Sequence, residues 1–172
     1  MKFLILKTIF FFLIFNISQA DEKIRFININ YIVNNSDVGK KLNNLIEKKN
    51  KKFTNELNKL GKSLEEKKNK IVSQKNILKK EEFEKLIKEY DIEVKNFNQK
   101  RAKKTNELNN FTAKSKKKIL DLLNPLIKNF LQNESIQILL QKEKIIFGDD
   151  KLDITKEILN IFNSKHKSVK FE

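Results

Sequence analysis

Residues 53–64 read FTNELNKLGKSL, and residues 83–97 read FEKLIKEYDIEVKNF. In the first stretch Phe53, Leu57, Leu60 and Leu64 recur at alternating steps of four and three, and in the second Phe83, Ile87, Tyr90, Val94 and Phe97 do the same. That period puts the apolar residues on one narrow stripe of an α-helix, the pattern of a coiled-coil seam. Working outward, the first series gains Ile46, Ile71 and Leu78, with Asn50, Lys67 and Gln74 as polar interruptions. The second gains Leu108 and Phe111, interrupted by Arg101 and Lys104. The two series are out of phase, because the step from Leu78 to Phe83 is five. Glu81-Glu82, just past the break, suit the first turn of a helix, where the macrodipole favours negative charge. The phase break predicts two helices folded back as a hairpin with its tip near 76–81. One uninterrupted helix is the alternative, since no Gly or Pro marks the turn.

Asn34-Asn35-Ser36-Asp37 is a cluster of N-cap residues, so the first helix starts there and runs over about 37–76. The second runs over 81 to about 131, and Pro125 should kink or restart it by removing a backbone hydrogen bond. Ahead of the hairpin, KIRFININY at 23–31 alternates with period two and reads as a strand, with a phase slip at Phe26-Ile27 that suggests burial on both faces or a bulge. Behind it, Ile136–Leu140 and Lys144–Phe147 read as two short strands, and Gly148-Asp149-Asp150 as a turn. Asp153 or Thr155 then caps a last helix through Phe162. The fold class is α+β, mostly α: a long antiparallel helical hairpin over 37–118 projects from a small β body made of 21–36 and 119–172. Three strands leave open edges and a small core, which argues for oligomerisation, with strands of several subunits completing the body.

Composition excludes most chemistry. There is no Cys, hence no disulfide or thiolate site, and His166 is the only His, so a His-based triad or multi-His zinc site is impossible. Three Gly cannot supply the loops of a nucleotide-binding fold. Glu65-Glu66 and Glu81-Glu82 are paired carboxylates without a partner, so no enzymatic role is expected. Residues 1–20 have a basic start, an apolar run over Ile9–Phe15, and Ser18-Gln19-Ala20 as a small-x-small site. This is the pattern of a secretory signal peptide cut after Ala20, the alternative being a membrane anchor. The net charge is +15 for the chain. Residues 40–118 hold 25 basic and 11 acidic residues, whereas 119–172 hold eight of each. The excess therefore sits on the hairpin, and its field attracts acidic partners over a Debye length of ~8–10 Å.

The order of these pieces resembles the Skp/OmpH-like periplasmic chaperones. Ile24–Val33 with Ser36-Asp37-Val38-Gly39-Lys40 is similar to the family's first strand and its Ser-x-x-Gly-Lys approach to the arm. NQKRAKKTNELNN at 98–110 resembles its basic stretch on the returning helix, and Leu122–Phe130 with Pro125 its descent into the body. Ile136–Leu140, Ile145-Ile146-Phe147 and Asp153-Ile154-Thr155 resemble its closing strands and helix start. The resemblance implies a homotrimer in the periplasm of a Gram-negative bacterium. Its central barrel of strands would carry three arms around a cavity that holds unfolded outer-membrane proteins and prevents their aggregation. It implies no ATP and no other cofactor. It also implies a lipopolysaccharide or client contact at Arg101, Lys103 and Lys104. A further basic position of that site, about ten residues upstream, is Glu93 here.

Two other classes account for part of the sequence. A structural coiled-coil protein of the envelope explains the helices but not the flanking strands. A nucleic-acid-binding protein explains the charge, but the basic residues carry few interleaved aromatics and no recognition motif, so no nucleic-acid partner is expected.

Overall fold

The computed structural model describes residues 23–171. The segment read as a signal peptide lies outside the described residues. The order of elements is β1 (Ile24–Ile27), α1 (Ile29–Asn35), α2 (Asp37–Ser73), α3 (Lys80–Asn133), β2 (Ile138–Gln141), two 3₁₀ turns (Lys142–Lys144 and Asp150–Leu152) and α4 (Thr155–Lys165).

Ser36 makes the corner from which the hairpin leaves the body. Its amide donates to the Ile32 carbonyl at 2.9 Å, ending α1, while its hydroxyl accepts from the Gly39 amide at 3.1 Å, starting α2. A Cβ on Gly39 would stand 2.0 Å from the Val33 carbonyl oxygen, so α1 and α2 come this close only with glycine there. The Ser-x-x-Gly spacing thus has two physical causes, a cap and a close approach.

The strand expected over 23–31 is shorter than its alternation suggests. The Asn28 side chain accepts from the Tyr31 amide at 2.7 Å and caps α1, so Ile29 and Tyr31 lie on a helix. A cap provides a local hydrogen bond that β pairing does not, and here it wins over period two. Phe26 and Ile27 are both buried, which accounts for the phase slip.

β1 and β2 pair in parallel, with Ile24 opposite Ile138 and Ile27 opposite Gln141. Parallel neighbours need a long crossover, and α1, α2 and α3 together form it. The backbone of Phe26 also accepts from the Ile154 amide at 3.0 Å and bridges to Asp153, so the start of α4 closes against β1. The strand expected over Lys144–Phe147 does not form. Lys142–Lys144 make a 3₁₀ turn instead, and the Lys142 ammonium meets the Asp153 carboxylate at 2.5 Å, drawing the chain back over Phe26. Ile146 and Phe147 are left 89% and 94% exposed. Pro125 does not restart the helix. α3 continues through it, held by the burial of Leu123, Leu126 and Ile127 around the lost hydrogen bond.

One apolar cluster gathers Ile27 of β1, Ile32 and Val33 of α1, Val38 and Leu42 of α2, Ile119 to Ile127 of α3, and Ile154, Ile158 and Phe162 from the α4 region. It sits wholly at the root of the hairpin. The C-terminal residues run back across that root: the Lys41 and Lys118 ammonium groups donate to the carbonyls of Lys167 and Lys170, each at 2.9 Å. Val169 and Phe171 pack on the cluster, so the tail touches the base of both long helices.

Candidate functional site

Beyond the root, α2 and α3 run antiparallel to a turn at 74–79. At 1.5 Å per residue the 37 residues of α2 reach about 55 Å. The turn contains neither Gly nor Pro. The Ile77 and Leu78 amides both donate to the Gln74 carbonyl at 3.0 Å, and Ile77 is 80% exposed at the extreme tip.

The register of the hairpin is held by charges across the seam. Glu56 meets Lys100 at 2.5 Å, Lys67 meets Glu93 at 2.6 Å, and the Lys49 ammonium lies 4.6 Å from the centre of the Phe111 ring. Lys67, a defect in the heptad pattern, is therefore the partner of Glu93. The same pair explains why residue 93 is acidic in this chain: it serves the hairpin. The Lys100 hydrogen bond, and then its charge, hold the Glu56 carboxyl below the usual carboxylate range. The Glu107 carboxylate, 3.0 Å away, raises Lys104 in turn.

The seam itself is thin. Among the described residues between Leu42 and Ser115, only Ile71 is buried. Phe53, Leu57, Leu64, Phe97, Leu108 and Phe111 are half-buried, and Leu60 is exposed. Two helices cannot enclose their own contact line, so each flank opens as a groove with an apolar floor. One groove has Phe53, Leu108 and Phe111 at its base, with Lys49, Lys52 and Lys104 around it. The next, nearer the tip, has Leu60, Leu64 and Phe97. On the opposite flank Leu57 and Phe97 form a floor beside Lys62 and Arg101.

The three basic residues singled out from the sequence do not converge. Successive helical residues are 100° apart, so Arg101, Lys103 and Lys104 spread around α3. Arg101 borders the groove over Leu57, Lys104 borders the groove over Phe53 and pairs with Glu107, and Lys103 is exposed. The described residues hold no group of three or more His, Asp or Glu that could bind a metal ion, and no helix long and apolar enough to cross a membrane.

A body closed by α4, carrying a two-helix arm capped at Ser-x-x-Gly, is now in place, and the model of the family "Outer membrane protein (OmpH-like)" matches residues 23–162. The chain belongs to that OmpH-like family. A solved structure from Caulobacter crescentus CB15, described as a candidate outer membrane chaperone (OmpH-like), matches with a TM-score of 0.77. The two sequences are 17% identical, and the match covers 87% of this chain and 89% of that one, so the fold is shared almost end to end. No curated protein matches the chain. Within the OmpH-like fold, sequence reasoning missed the cross-seam pairs Glu56–Lys100 and Lys67–Glu93. The signal was available: in a hairpin with its turn near 76, residues whose numbers sum to a near-constant value face each other. It also missed the tail contacts of Lys41 and Lys118, which go to backbone carbonyls and leave no trace in residue type.

Proposed function

We propose that the protein is an ATP-independent holdase chaperone of the periplasm, which binds unfolded outer-membrane proteins along its helical arms and keeps them from aggregating. One observation carries this reading: along the arm every apolar residue of the seam between Leu42 and Ser115 except Ile71 is half-buried or exposed, and these residues are flanked by nearly all of the chain's surplus of positive charge. Such a surface offers many weak contacts, none of which needs a folded partner. A client held that way stays unfolded and can exchange. The shared fold with a candidate outer membrane chaperone supports the same reading. A chain exported by a cleaved signal peptide, cut after Ala20, would meet its clients in that compartment.

The arms would work as a set. Ile24, Ile138, Leu140, Ile146 and Phe147 are exposed on the body, and β1 and β2 make a sheet of only two strands. Large apolar side chains left exposed beside a short open-edged sheet are what an interface leaves behind when its partner is removed. This supports a homotrimer with three arms around one cavity. The spread of Arg101, Lys103 and Lys104 around α3 supports a diffuse attraction for acidic clients or lipopolysaccharide. No cofactor or catalytic step is invoked.

The test is turbidity of a urea-unfolded β-barrel outer-membrane protein diluted into buffer with the protein. Full suppression is expected at about one assembly per client. A variant lacking matched heptads from both helices should keep its assembly mass and protect only smaller clients. Equal protection by a body with no arm would refute the holding role of the hairpin.

A further inference from the structure

The two flanks of the arm are not equivalent. Glu56 and Ser63 each precede a seam leucine, Leu57 and Leu64, while Asn58 follows one, so these positions stand on opposite shoulders of α2. The shoulder of Glu56 and Ser63 is crossed by Glu56–Lys100 and Lys67–Glu93, and carboxylates line both of its grooves. The other shoulder bears a groove lined by Leu57, Asn58, Gly61, Lys62, Phe97 and Arg101. That lining contains two cations and no carboxylate. Glu65, the next acid along α2, lies outside it.

We propose that this uncrossed flank is the face on which the arm reads polypeptide, taking an apolar side chain onto Leu57 and Phe97 and an adjacent acidic side chain between Lys62 and Arg101. The inference rests on the holding function proposed above. Charge complementarity selects the ligand: the two cations have no acid in their own groove to answer them, whereas Lys100 and Lys104 on the crossed flank are already paired. Gly61 supports it independently. A Cβ there would meet nothing within 4 Å, so packing does not require glycine. A glycine inside a helix destabilises it by about 0.5–1 kcal/mol relative to alanine. Its effect in this place is an unobstructed floor between Lys62 and Arg101. A floor of two apolar residues suits one side chain at a time, which favours a polypeptide over the several acyl chains of a lipid.

The experiment places the photo-cross-linker p-benzoylphenylalanine at Asn58 or at Ser63 in the mature protein, one variant for each flank and neither of them a cation of the proposed site. A urea-unfolded β-barrel membrane protein is then added. Cross-linking severalfold stronger from position 58 is expected. Equal yields, or a stronger yield from 63, overturn the proposal. No cross-link from either site while aggregation is still suppressed also overturns it, with the holding function intact. Loss of both cross-linking and protection defeats the holding function and the face together. In parallel, the double variant Lys62→Gln/Arg101→Gln is titrated with two short peptides, one carrying Phe-Glu and one carrying Phe-Gln. With two rim charges removed, affinity for the first should fall by about tenfold and that for the second should hold. An equal loss for both peptides, or cross-linking of position 58 to lipopolysaccharide micelles instead of the client, would overturn the assignment of this face to acidic polypeptide.

Discussion

The same substitution, glycine to alanine, should have opposite effects at Gly39 and Gly61. At Gly39 the new methyl would lie 2.0 Å from the Val33 carbonyl oxygen and 2.9 Å from its carbon, well inside ordinary contact. The obstacle is backbone, and that backbone cannot retreat freely: Val33 is buried, and the adjoining Ser36 bonds to Ile32 at 2.9 Å and to Lys40 at 2.8 Å. Parting α1 from α2 would open the cluster around Ile32, Val38 and Leu42 and stretch the Ser36 cap. Overpacking of about 1–3 kcal/mol, with part of a cap worth ~1 kcal/mol, gives a loss of roughly 2–4 kcal/mol. For a chain of this size that is a fall in Tm of roughly 5–15 °C. At Gly61 the methyl enters open space, so helix propensity decides, and a gain of about 0.5–1 kcal/mol is expected. Both variants are compared with the parent by circular dichroism and calorimetry at one protomer concentration, because assembly makes Tm concentration-dependent. A Gly39→Ala protein that melts with the parent, or a Gly61→Ala protein that melts below the Gly39→Ala one, would refute the reasoning. Gly61→Ala has a second readout: a stiffer arm with a narrower groove should hold clients less well while melting higher.

Three further outcomes are expected. Deleting residues 166–172 removes the tail carbonyls that Lys41 and Lys118 reach, along with Val169 and Phe171, so hydrogen exchange should quicken at the arm root while the tip keeps its rate. Ile138→Asp puts a charge into the exposed apolar patch beside β1 and should lower the assembly mass measured by light scattering. An unchanged mass would remove Ile138 from the interface. Burial raises the Asp153 carboxyl, but the Lys142 ammonium and the Thr155 hydrogen bonds outweigh it and leave the group below its ordinary value. A carboxyl lowered by folding stabilises the fold above the unfolded carboxylate pKa, and that stabilisation is lost as pH falls through the folded value. Asp153→Asn should therefore flatten the decline in melting temperature below about pH 4.

What could be read from the sequence and what could not follow one physical divide. The long helices were legible because a heptad stripe repeats over many turns, so single interruptions such as Asn50 or Lys67 do not erase it. The reversal was legible because a step of five cannot stay on one stripe. Short elements were not. A run of nine residues with period two met one side chain, Asn28, whose hydrogen bond to Tyr31 turned the second half into helix. The strand expected at Lys144–Phe147 failed for a similar reason: the Lys142–Asp153 pair is a tertiary contact eleven residues apart, invisible to local pattern. Of the basic residues at 101, 103 and 104, adjacency in sequence suggested one cluster, and the helical turn disperses them. The candidate groove instead combines Gly61 and Lys62 with Phe97 and Arg101, and only the antiparallel register brings those residues together.

The placement of the core bears on how the arm can act. Among the described residues, every buried apolar residue except Ile71 lies in the body, in the root cluster or, for Phe26, on β1 beside it in sequence, so hydrophobic burial stabilises the body far more than the arm. The arm is left with helix propensity, a half-covered seam and exposed ion pairs worth only ~0.2–1 kcal/mol each. Its surplus of positive charge works against compaction, since no arm residue can move inward without approaching other cations. Stability should therefore fall from the root outward, with Ile71 as a second, weaker point of closure just before the turn. A rigid arm would present one fixed groove to one shape of ligand. An arm that is firm at Ser36 and Gly39 and loose around Gly61 can bend to many, and the same thin seam that makes it loose supplies the apolar surface that many unfolded chains share.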